Sequence, residues 1–228
     1  MDNYIIINYG LPLLGVIITA LAQFFVNSSY NNYKKINIKK GISGAEVARR
    51  ILDKHNLQHI KVNSVRGNLT DHYDPSKKVV NLSTDIYSGC SIASIAVASH
   101  ECGHAIQDKY KYLFMKIRSL IVPLVNFSTK IGYFVVILGL IFGWLKLAWI
   151  GIILLLSMLL FQIITLPVEF NASKRALNEI KEMNILEETE LDGAKTMLTA
   201  AAFTYVAGML STLFQILRLA LMVRGNDD

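Results

Sequence analysis

A chain of 228 residues with 53% apolar side chains and a mean hydropathy of +0.40 is too apolar for an ordinary soluble domain and points to a membrane protein. Two cysteines, Cys90 and Cys102, exclude a disulfide framework. In such a chain the net charge of +6 reads as membrane topology and attraction to anionic lipid; with no aromatic-and-basic motif present, no nucleic-acid partner is expected.

Taken in chain order, residues 4–26 are nearly all apolar and long enough to span a bilayer. They lack a basic leader and an A-x-A cleavage site, so a retained anchor is expected rather than a signal peptide. A polar segment follows over 27–118. Within it Ser43 and Glu46 form a capping box that opens a helix running to about His55. Residues 59–65 alternate like a strand, Arg66–Asn68 and Asp74–Lys77 are turns, and Lys78–Leu82 is a second strand. His55 and His59 read as surface residues at a helix end and a strand start. An apolar helix is expected from about Ser91 to Tyr110.

A second apolar block runs from near Ser119 to about Leu145. Pro123 and Lys130 interrupt it, which puts the crossing at 131–145 with Lys130 and Lys146 snorkelling at its ends. Gly143–Lys146 is a tight turn into a third span, 147–166, closed by Pro167. Residues 169–196 are charged and helical in pattern, and 198–223 form a fourth span with Arg218 near its far end. The expected fold class is a mainly α membrane protein, with about four transmembrane helices and one small α+β unit in a single domain over 1–228.

The long polar segment carries Lys34, Lys35, Lys39, Lys40, Arg49 and Arg50, so the positive-inside tendency puts it in the cytoplasm. Two spans separate it from residue 169. An even number of crossings returns the chain to the same face.

His100-Glu101-Cys102-Gly103-His104 has the form H-E-x-x-H on the expected helix. Residues four apart share one helix face, so His100 and His104 can present two imidazoles to one ion, with Glu101 beside them as a general base. Zinc in a catalytic site takes three protein ligands, and Glu169 is the choice for the third, since His-His-Glu is an established catalytic set. The plain alternative for Glu169 is a solvated first-turn residue favoured by the helix dipole. Cys102 reads as a small buried residue. Asp192, in the short Leu191-Asp192-Gly193 element, is a rival third ligand of the kind used by site-2 intramembrane proteases, but it lies in a charged stretch outside the spans.

His100–Gln107 (H-E-C-G-H-A-I-Q) and Pro167–Leu177 (P-V-E-F-N-A-S-K-R-A-L) resemble the bacterial membrane-bound neutral zinc metallopeptidases of the YugP-like group. So do Tyr73-Asp74-Pro75 with Val80–Ser83 upstream and Ala200–Ala207 downstream; the resemblance covers nearly the whole chain. It extends distantly to the HtpX and CAAX-prenyl-protease class of gluzincins, whose third-ligand helix reads Glu-x-x-x-Asp. Ser173 stands at that Asp position, where the class supports a zinc-binding histidine. The resemblance implies a gluzincin-like zinc metallopeptidase unit, one Zn²⁺ per chain, a multi-pass location in the cell membrane and peptide or membrane-protein substrates.

Arg175, Tyr205 and His72 are candidate oxyanion donors, each with a plain reading as a surface charge, an interface aromatic and a loop residue. Val79, Val80, Asn81 and Leu82 are a candidate edge strand for pairing with an extended peptide, or an internal strand. The expected function is a membrane-embedded zinc endopeptidase acting on membrane or membrane-proximal proteins. Its rivals are a site-2-type protease using Asp192, a membrane protein with a structural zinc, and a metal-independent scaffold. A transporter is disfavoured because no ionisable pair lies mid-span.

Overall fold

A computed structural model describes residues 6–225. A π-helical turn, Ile6–Gly10, leads into helix α1 (Leu11–Tyr33). Then come α2 (Gly44–Lys54), β1 (Lys61–Val65), β2 (His72–Asp74), β3 (Val79–Ser83), α3 (Thr84–Ser88) and α4 (Ile92–Lys109). Three long helices complete the chain: α5 (Leu113–Ile141), α6 (Leu145–Glu182) and α7 (Glu188–Gly225). Among the described residues four helical stretches, Ile6–Tyr33, Leu113–Ile141, Leu145–Glu182 and Glu188–Gly225, are long and apolar enough to cross a membrane. The protein is therefore a mainly α membrane protein with a small α+β portion. The expected first span begins at Tyr4, outside the described residues.

The long helices exceed their expected bounds. α5 begins at Leu113 and continues through Pro123. α6 continues through Pro167, which was expected to end the span. A proline removes one backbone donor and crowds the preceding turn, yet here burial of the following stripe holds the helix: Val168, Ala172, Ala176 and Ile180 are all fully buried. Glu169 consequently sits in the middle of a helix and not in a first turn.

The described residues fall into two compact units. One gathers residues 6–23, 117–166 and 203–225. Its α5–α6 hairpin turns at Gly143, whose φ of +65° suits glycine. Small residues let these two helices touch: a Cβ on Gly139 would lie 2.4 Å from the Ala148 nitrogen, and one on Gly151 would lie 2.6 Å from that of Val136. Two hydroxyls in this apolar unit bond to their own helix: Thr165 Oγ1 to the Phe161 carbonyl (2.8 Å) and Thr212 Oγ1 to that of Gly208 (3.0 Å).

The second unit gathers residues 24–116 and 167–202. It opens α2 with the predicted capping box: Ser43 Oγ accepts from the Glu46 N–H (3.2 Å) and the Glu46 carboxylate accepts from the Ser43 N–H (2.7 Å). Its core joins Val47, Ile51, Leu82, Ile95 and Ile106 with Val168 and Ile180 of α6. His55, expected at the surface, is partly buried instead, with Nε2 2.8 Å from Glu179 Oε1 of α6. The sheet has strand order β1-β3-β2, with β1 parallel and β2 antiparallel to β3. β3 is therefore the central strand, and Val79, Val80, Asn81 and Leu82 form no edge. The edges are β1 and β2. Of the two readings of this segment, the internal strand holds; β2 has three residues, too few to show alternation in the sequence and so to decide between them.

Candidate metal centre

α4 positions the motif. Its first turn is capped by Ser91, whose Oγ accepts from the Ser94 N–H at 3.1 Å. A fully buried row (Ala98, Cys102, Ala105, Ile106) then holds the helix in the core of its unit. Cys102 faces this core, with Sγ 3.6 Å from the Ala48 carbonyl. Burial pushes its thiol well above the usual range, so it stays protonated and inert. Native protein treated with iodoacetamide should be alkylated at the partly exposed Cys90 and not at Cys102 until it is unfolded. Peptide mass mapping reads this directly, and early labelling of Cys102 would contradict the packing of α4 on α2.

On the other face of α4, the His100 and His104 rings meet edge to face, with centroids 4.8 Å apart. Glu169 of α6 reaches both: its Oε2 lies 3.3 Å from His100 Nε2 and 3.5 Å from His104 Nε2. Two bonds of about 2.0–2.1 Å at a tetrahedral angle put ligand atoms about 3.3 Å apart, so both separations suit a zinc ion. The three ligand atoms all lie within 4.8 Å of one another. Glu169 is 2% exposed and His104 9% exposed. Burial opposes the Glu169 charge, but the two imidazoles hold its carboxyl well below the usual carboxylate range. Burial also opposes charge on His104, and Glu169 outweighs it, raising His104 above its ordinary value. This negative, nitrogen-bearing pocket has the donor set and spacing of a divalent-cation site.

The far nitrogens of both rings are held as well. His100 Nδ1 lies 3.1 Å from Ser173 Oγ, and His104 Nδ1 lies 3.0 Å from Gln107 Oε1. When both Nδ1 atoms carry the proton and donate outward, the Nε2 lone pairs point toward Glu169, the arrangement a shared cation would need. Glu101 is buried on the sheet side, where its Oε2 accepts from the Tyr73 N–H of β2 at 2.9 Å. A Tyr73 hydroxyl bond to Asp108 Oδ2 (2.6 Å) fastens the same strand to the end of α4.

The family model described as "Putative neutral zinc metallopeptidase" matches residues 8–224. The chain belongs to this family. It is also 45% identical, over 91% of its length and 92% of the relative's, to the "Putative membrane protease YugP" of Bacillus subtilis (strain 168). No solved structure matches it. Membership implies zinc, for which His100, His104 and Glu169 supply a fitting donor set.

Other candidates from the sequence lie elsewhere or are engaged. Among the described residues Asp192 is exposed and outside the donor group. Arg175 donates from Nε to Asn171 Oδ1 (2.8 Å) and lies over the Tyr110 ring, 5.9 Å from its centroid. His72 is exposed on β2, with Nδ1 2.8 Å from the Thr70 carbonyl and Nε2 3.0 Å from Asn81 Nδ2. Tyr205 belongs to the other unit, where it lines a cavity with Arg118 and Gln162. Sequence reading missed Gln107 and the Tyr73 N–H. Gln107 lies three residues past His104 and so on its face of α4, a signal that was available; a backbone donor leaves none.

Proposed function

We propose that this protein is a membrane-embedded zinc endopeptidase that cleaves membrane or membrane-proximal proteins at the cytoplasmic face, with one zinc per chain. The convergence of His100 Nε2, His104 Nε2 and Glu169 Oε2 carries this reading. A bound zinc supplies Lewis-acid polarisation of the scissile carbonyl and makes water a nucleophile near neutral pH. His100, His104 and Glu169 would hold the ion, with Ser173 and Gln107 placed against the Nδ1 atoms of the two rings. Glu101 takes the proton from the attacking water and delivers it to the leaving amine. The Tyr73 N–H anchors one Glu101 oxygen, which keeps the carboxylate oriented and leaves the other oxygen for the proton. The lysines and arginines of residues 34–50 support the cytoplasmic side.

Elemental analysis of detergent-purified protein tests the ligand set. Wild type and Asp192→Ala should each hold about one zinc, the number three protein ligands and an open position imply. Glu169→Ala should hold almost none. Zinc lost in Asp192→Ala and kept in Glu169→Ala would transfer the site to the rival ligand.

A further inference from the structure

Gln107 has no exposed surface, and every polar atom of its side chain is engaged. Its amide nitrogen donates to the Val168 carbonyl (2.7 Å) and to Asn171 Oδ1 (3.1 Å), both on α6. Both partners are acceptors, so the NH₂ group must face α6 and the oxygen must face His104. The amide cannot flip without setting its oxygen against two other oxygens in a buried site, where unmade bonds are costly. Asn171 Oδ1 also accepts from Arg175 Nε (2.8 Å), one helical turn further along. That second donor fixes the Asn171 amide in turn, because only its oxygen can take both bonds.

The consequence reaches the ring. An oxygen fixed opposite His104 Nδ1 accepts a proton and cannot give one, so Nδ1 carries the hydrogen, and in the neutral ring that a metal requires Nε2 is the nitrogen left bare. The same amide ties α4, which carries the histidines, to α6, which carries Glu169. We propose that Gln107, backed by Asn171 and Arg175, is the positioning residue that sets the His104 tautomer and clamps the two ligand helices at metal-binding distance. This rests on the ligand set of the proposed function. It gives Arg175 a role in orienting the amide chain, in place of direct contact with substrate.

Three variants separate positioning from bulk packing. Gln107→Met keeps the volume and removes the acceptor and both donors. Gln107→Glu restores an acceptor for His104 but cannot donate to the Val168 carbonyl. Asn171→Ala leaves Gln107 in place and removes one of its two acceptors. Zinc affinity is measured by chelator competition, thermal stability is followed with and without zinc, and the His104 tautomer is read from ¹⁵N-histidine NMR spectra of the zinc-loaded protein. Gln107→Met should bind zinc about ten- to a hundred-fold more weakly, the range for loss of a ligand's supporting partner. Gln107→Glu should recover part of that loss, Asn171→Ala should show a smaller loss of the same sign, and wild-type His104 should carry its hydrogen on Nδ1. Wild-type affinity in Gln107→Met, or a His104 hydrogen on Nε2 in the wild type, overturns the proposal. So does a Gln107→Met defect confined to melting temperature. If wild type binds no zinc at all, the ligand set itself falls and takes this inference with it; if wild type binds zinc and Gln107→Met binds it equally well, only the role of Gln107 falls.

Discussion

Glu101→Gln should retain zinc and lose at least a hundred-fold in cleavage rate, with about 10²–10⁴ typical for removal of a general base. The amide has the size of the carboxylate, and its carbonyl oxygen can still accept from the Tyr73 N–H, the bond that Glu101 Oε2 makes at 2.9 Å. β2 therefore stays fastened to α4, and the ligands His100, His104 and Glu169 are untouched. What the amide cannot do is accept the proton of the attacking water. Glu101→Ala is a poorer control, because it leaves a buried backbone donor without an acceptor, a loss of about 1–3 kcal/mol that mixes stability with chemistry. The measurement pairs elemental analysis with cleavage of a membrane-protein substrate in detergent. Turnover near the wild-type rate in Glu101→Gln, with zinc in place, would remove Glu101 from the proton path.

Much of this architecture is legible in the residues because local chemistry and tertiary packing agree. Ser43 and Glu46 announce the start of α2, and their reciprocal bonds form as their spacing requires. His100 and His104 fall on one face of α4 because four residues make about one helical turn. One misreading comes from packing that overrules a local signal. Pro167 reads as a helix stop, but the fully buried Val168, Ala172 and Ala176 offset its cost and carry α6 onward. The sequence names Glu169 as a candidate ligand but leaves a solvated first-turn residue as the alternative; the continuation of α6 decides between them, because in mid-helix Glu169 is buried against two imidazoles. β2 is too short to have a period, so the sequence left β3 open between an edge and an internal strand. Gln107 was hidden differently, as one polar residue in a helix already rich in chemistry. Its meaning comes from acceptors on a helix some sixty positions away, the separation at which it meets Val168.

Gly103→Ala should impair zinc binding far more than it impairs folding. Gly103 lies inside the motif, where α4 crosses α6. A Cβ built there would sit 2.5 Å from the Ala172 carbonyl oxygen and 3.1 Å from its Cα. Both are backbone atoms, so no rotamer change relieves the clash and the helices must separate or shift. Overpacking of this kind costs about 1–3 kcal/mol. Replacing glycine by alanine inside a helix returns about 0.8–1.0 kcal/mol. The net loss of stability is therefore modest, a drop of a few degrees in melting temperature. The site has no such compensation. A functional constellation tolerates displacements of about 0.5 Å, and relieving a 2.5 Å approach to an ordinary contact demands more than that. The shift would act directly on the 3.3 and 3.5 Å separations between the imidazoles and Glu169, and on the 2.7 Å bond from Gln107 to α6. Zinc affinity should fall by at least ten-fold in Gly103→Ala, and Gly103→Val should lose zinc and stable folding together. Chelator competition and thermal unfolding on the same preparations separate the two effects. Wild-type zinc affinity in Gly103→Ala would mean that the α4–α6 crossing does not set the metal geometry.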